Sequence, residues 1–166
     1  IQKLREQLAG RLLQGGGRMD VQIGEGRFDV GLQSIEVAEM NTSGEIRVHL
    51  ENSCKANLFD RAADIFAKLE MHKTKLRNGI LFYVAVKDRR FAIIGDAGIN
   101  RKVPLGFWDE IKETVLNYFK KNQIAEGLME GIRMAGEQLK EQFPYEMGDV
   151  DELTNEISYG SREDEI

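Results

Sequence analysis

The amino-acid sequence predicts an α/β fold built on a small mixed, mostly parallel sheet, and three segments carry that prediction. Residues 45–51 (Glu-Ile-Arg-Val-His-Leu-Glu) alternate polar and apolar without a break, the period of a half-buried strand. Residues 80–86 form a continuous apolar run, as in a strand covered on both faces. A second apolar run, 91–95, follows only four polar residues later, which permits an antiparallel hairpin and no parallel return.

The connecting elements follow from periodicity. Leu58, Ala62, Ile65, Phe66 and Leu69 recur at helical spacing, with Asn57 as N-cap and Asp60 in the first turn. Strand 45–51, this helix and strand 80–86 make a βαβ unit with a right-handed crossover. Trp108, Ile111, Val115 and Phe119 mark another helix. Leu128, Ile132, Ala135, Leu139 and Phe143 mark the next, which stops before Pro144. Gly127, Gly131 and Ala135 form a thin stripe that allows close approach to a neighbouring element. Three regions result. Residues 1–28 are a poorly defined N-terminal arm whose Leu4, Leu8, Leu12 and Leu13 allow a short amphipathic helix. Residues 29–146 are the folded domain, beginning with a weak helix over 29–41, and 147–166 are an acidic tail expected to be mobile.

Charge and composition exclude several classes. The 166-residue chain has a formal charge of −5, but residues 147–166 alone hold −6, leaving 1–146 at +1. A near-neutral body lacks the basic surface that nucleic-acid binding requires. No apolar run reaches the roughly 18 residues of a membrane span. One cysteine, Cys54, excludes an internal disulfide framework and a cysteine-rich zinc site, and two histidines, His49 and His72, leave little material for a histidine-based metal centre. There is no signal-type apolar segment, and a cytoplasmic location is expected.

The segment from Thr42 to about Tyr159 resembles the TPM domain family, in its short soluble bacterial branch. The resemblance rests on Thr42-Ser-Gly-Glu-Ile-Arg-Val48, Arg77-Asn-Gly-Ile-Leu-Phe-Tyr-Val-Ala85, Asp88-Arg89, Gly95-Asp-Ala-Gly-Ile99, the Glu126-Gly-Leu and Gly131-Ile pair, and Phe143-Pro144. It implies a three-layer α/β/α sandwich, in agreement with the pattern above. It also implies divalent-cation binding, calcium ahead of magnesium. One plant member is described as an acid phosphatase.

Strand directions sort the polar motifs to two ends of the sheet. Ser43-Gly44-Glu45 and Arg77-Asn78-Gly79 begin the two parallel strands, and the reversed third strand brings Gly95-Asp96-Ala97-Gly98 back beside them. Asp96, Glu45, Asn78 and Ser43 then offer the all-oxygen donor set that hard cations select. A glycine turn with Asp96 capping the following segment is the plainer alternative. At the opposite end, roughly 17 Å away along a five-residue strand, Glu51 and Asp88 are second-site candidates, a location open α/β sheets use for ligands. Arg89 and Arg90 adjoin them in an exposed turn. His49 is expected to be packed under a helix, and Cys54 lacks the phosphate-binding arginine of a cysteine phosphatase.

Three functional expectations follow. The first is a divalent-cation-binding domain with a regulatory or protein-interaction role. The second is a metal-assisted phosphatase on phosphate monoesters, with Arg77 or Arg89 balancing charge. The third is a structural partner of a membrane-associated complex.

Overall fold

A computed structural model describes residues 38–39, 42–85, 87–88, 90–146 and 158–160. The N-terminal arm, most of the expected helix over 29–41, Arg89 and most of the acidic segment lie outside these residues.

The elements run β1 (Glu45–Glu51), α1 (Leu58–Lys68), a 3-10 turn (Met71–Lys73), β2 (Gly79–Ala85), β3 (Arg90–Gly95), α2 (Ala97–Lys102), α3 (Phe107–Lys120), α4 (Ile124–Gln142) and β4 (Ser158–Tyr159). The sheet order is β3-β2-β1-β4. β1 and β2 are parallel, with Glu45 opposite Gly79 and Glu51 opposite Ala85. β2 and β3 form the expected hairpin, with Ile80 opposite Gly95.

Side-chain alternation divides the core between the two faces of the sheet. Ile46, Val48 and Leu50 of β1 join Ile80, Phe82, Phe91 and Ile93 under α3 and α4, which contribute Trp108, Ile111, Val115, Ile132 and Leu139. On the other face, Leu81, Tyr83, Ala92 and Ile94 pack against Leu58, Ala62, Ile65 and Phe66 of α1. Helices therefore cover the sheet on both sides, and the layers are α/β/α. Asn57 caps α1 as its sequence position requires: Oδ1 accepts from the Phe59 and Asp60 amides. The small-residue stripe of α4 lies against α3, where a Cβ on Gly131 would stand 2.7 Å from Val115 Cγ2.

Three features depart from the sequence expectation. β1 is buried along both faces, not one, because its polar side chains find partners inside the fold. The residues after Asp96 form a short helix, α2, whose Ala-Gly-Ile-Asn-Arg-Lys sequence is too short for a helical period to show. Within the acidic segment, Ser158 and Tyr159 pair parallel to His49 and Leu50 as a fourth strand. Two paired residues leave no legible pattern.

Candidate functional site

At the amino ends of β1 and β2 the three motifs meet. The return of β3 is fixed by the Asp96 amide, which donates to Gly79 O at 2.9 Å, and the Glu45 amide donates to Asn78 O at 3.4 Å. Asp96 is buried completely and does two jobs. Its Oδ1 accepts from the Ala97 amide at 2.7 Å, capping α2. Both of its oxygens also accept from Arg77, Nε at 2.6 Å and Nη2 at 2.8 Å. This bidentate geometry gives a guanidinium–carboxylate pair its strength and direction, and the bond raises the Arg77 pKa further. The Arg77 side chain is still 44% exposed. Its backbone is left-handed at φ 53°, an arrangement kept only where the surroundings enforce it. One enforcing contact is visible: the Gly98 amide donates to Arg77 O at 2.8 Å. A Cβ on Gly98 would lie 2.1 Å from Leu76 O, so glycine alone lets α2 approach this loop.

Asn78 and Ser43 adjoin this pair. Asn78 Nδ2 donates to Ser43 Oγ at 3.4 Å, while Asn78 Oδ1 is buried with no hydrogen-bond partner. Thr74 Oγ1, in the same loop, is likewise buried and unpartnered. Glu45 opens β1 opposite Gly79. Alternation places it with Leu81 and Tyr83 on the α1 face, and Asp96, one residue past Gly95 of β3, continues that same face beyond Ile94. The structure therefore joins Asp96 to Arg77 and Asn78 to Ser43 as two separate side-chain pairs at this end of the sheet. Among the described residues, no three His, Cys, Asp or Glu side chains gather as a metal group. A cation at this end would depend on neutral oxygens as well as Asp96.

The carboxyl end holds a second polar cluster, but not the expected pair. Glu51 is buried and accepts from Arg61 of α1 through Nε (2.9 Å to Oε2) and Nη2 (2.7 Å to Oε1). It also accepts from Tyr83 Oη at 2.7 Å, and His49 Nε2 lies 3.3 Å away. Burial pushes the Glu51 carboxyl up. The bonds from His49, Arg61 and Tyr83, together with the Arg61 charge, outweigh that push and hold it at about 2. Burial and the bond to Glu51 drive the Tyr83 phenol well above its usual range. Asp88 is occupied elsewhere: Oδ2 accepts from the Cys54 amide at 2.7 Å. Arg90, the other turn arginine, donates to Cys54 O at 3.1 Å. Glu51 and Asp88 thus serve separate structural bonds, and Arg89 lies outside the described residues. Cys54 is buried, with Sγ against Ala56 O. His49 is buried as expected, with its ring stacked on Tyr83.

Sequence reasoning missed Arg61, Tyr83 and Ser158 as members of this cluster. The alternation of β1 already placed His49 and Glu51 on one face. Nothing local announced that a helix arginine and a distant strand serine would complete the group.

Comparison with known proteins now adds to the geometry. The NMR structure of BA42 protein from the psychrophilic bacterium Bizionia argentinensis superimposes with a TM-score of 0.78 and is 44% identical in sequence. The match covers 86% of this chain and 99% of that one. A search of curated proteins finds no match. The model of the TPM domain matches residues 32–138. With that match over more than half its length, and the mixed sheet between helical layers that accompanies it, the chain belongs to the TPM domain family.

Proposed function

We propose that the chain is a divalent-cation-binding domain, calcium ahead of magnesium, that acts through contacts with a protein partner. The ion site lies at the amino ends of β1 and β2. The observation that carries this reading is Asn78 Oδ1, a buried acceptor with no hydrogen-bond partner among the described residues. An unmet buried acceptor carries a desolvation penalty of about 1–3 kcal/mol, and a hard cation relieves it. Asn78 and Ser43 fit such an ion through Oδ1 and Oγ. Asp96 supplies a carboxylate at the same end of the sheet, and its charge is already matched by Arg77. An ion and the guanidinium therefore compete for that carboxylate, which argues for an affinity in the weak range of about 10⁻⁴ to 10⁻³ M.

Calorimetry and thermal melting with calcium and magnesium chloride test this. With a dissociation constant near 1 mM, 10 mM calcium stabilises the native state by about 1.4 kcal/mol, which raises Tm by about 3–6 °C. Arg77→Gln frees the Asp96 charge, so calcium binds that variant several-fold more tightly. Absence of heat and of any Tm change at 10 mM in both proteins overturns the reading.

Arg77 favours a second reading, hydrolysis of phosphate monoesters. Its bond to Asp96 engages Nε and Nη2 and aims the guanidinium, while the exposed part of the side chain faces solvent. A guanidinium aimed in this way suits a phosphate. A bound cation would supply charge neutralisation at a phosphoryl oxygen. Turnover of p-nitrophenyl phosphate that co-purifies with the protein and falls in Arg77→Ala supports this reading. Turnover unchanged in that variant rejects it.

A further inference from the structure

The outer edge of β1 has an unusually particular occupant. Among the described residues, His49 and Leu50 pair with β4, and the Gly160 amide adds one bond to Leu50 O at 2.8 Å. Nearer the start of β1, the Ile46 amide donates to the Glu39 carboxylate at 2.6 Å, so a side chain already occupies the edge there. Side-chain fit restricts what can lie along this edge. Ser158 Oγ is 2.9 Å from His49 Nδ1. That imidazole is fixed from behind by Glu51 and by stacking on Tyr83, with ring centroids 5.8 Å apart and planes 8° apart. Two residues on, a Cβ at Gly160 would stand 2.5 Å from Glu51 Cβ, where no side chain fits. Tyr159, between them, is 60% exposed. The edge therefore selects a hydroxyl at the first position and glycine at the third.

We propose that the His49–Glu51 edge of β1 is a peptide-receiving site for a parallel Ser-x-Gly strand. The chain's own Ser158–Gly160 fills it in this structure, and the same segment of a second copy takes it when that strand leaves. Adding a strand to a sheet edge is a recurrent mode of recognition, with backbone bonds for affinity and side-chain positions for specificity. A second copy is the occupant because every copy carries the matching sequence. Reciprocal exchange then rebuilds each bond described above between two chains.

A fluorescein-labelled peptide of residues 154–166, titrated into the full-length chain and followed by anisotropy, tests the proposal. Gly160→Val in the protein prevents its own strand from seating and leaves the edge open. That variant binds the peptide saturably, the wild-type chain binds it at least tenfold more weakly, and a peptide carrying Gly160→Val binds neither. Absence of binding to a variant that still melts cooperatively, or equal binding of both peptides, overturns the proposal. If the variant does not melt cooperatively, hydrogen exchange at the Gly160 amide of wild-type protein decides. Excess peptide speeds that exchange by competing for Leu50 O, and an unchanged rate overturns the proposal.

Discussion

Glu51 shows how one buried carboxylate is kept charged. Arg61, Tyr83 and His49 all direct hydrogen-bond donors at it, and their combined effect exceeds the desolvation that opposes it. A carboxyl held at about 2 in the native state, against 4.5 for an unperturbed glutamate, binds fewer protons than the unfolded chain does. Its contribution to stability is present above about pH 4.5 and is lost as pH falls toward 2, and it amounts to something on the order of 3 kcal/mol. Denaturant unfolding of wild type and Glu51→Gln at pH 7, 4.5 and 3 checks this. The wild type loses stability over the acid interval, and the variant starts lower with a flatter dependence. The same acid loss in both proteins assigns it to other carboxylates. Asp96 shows a different economy, with one carboxylate both capping α2 and orienting Arg77. The sequence placed Asp96 beside Arg77 and Asn78 because strand direction alone fixes that meeting. It did not reveal that Arg77 would claim the carboxylate, because rotamers and the left-handed backbone at Arg77 are set by tertiary contact with Gly98.

Elements with a full period were legible, and elements without one were not. β1, α1, α3 and α4 each repeat their apolar spacing often enough to fix both type and inward face. The N-cap of α1 follows from residue chemistry. Asn57→Ala removes the acceptor for two amides and lowers stability by about 1 kcal/mol, readable as a shift of the urea midpoint at unchanged slope. α2 spans six residues and β4 two, so packing and not pattern determines them. The polar face of β1 misled for a related reason: alternation distinguishes two faces, but it does not say whether the polar one meets water or partners. Here Arg61 arrives from α1 and Ser158 from β4, and both contacts lie far beyond any local window.

At the scale of the whole molecule, the described residues form two apolar layers separated by a sheet, with polar clusters at both ends of one parallel pair. Among the described residues, no helix is long and apolar enough to cross a membrane. Strand directions and the crossover rule place β1, β2 and β3 relative to one another, whereas β4 left no signal and the three-layer sandwich is what the family resemblance implied. Removing residues 147–166 tests how β4 serves the assembly. The shortened chain keeps its helical circular dichroism and melts a few degrees lower, and it self-associates more readily, because an uncovered strand edge invites pairing between molecules. Light scattering across a concentration series reads this, and a strictly monomeric shortened chain with unchanged melting contradicts it. His49 and Ser158 meet across 109 positions of sequence. During translation, the β1 flank that β4 covers must therefore wait until nearly everything between them has left the ribosome. A pause late in synthesis prolongs that wait, and neighbouring nascent chains on one message then have time to pair in place of the proper strand.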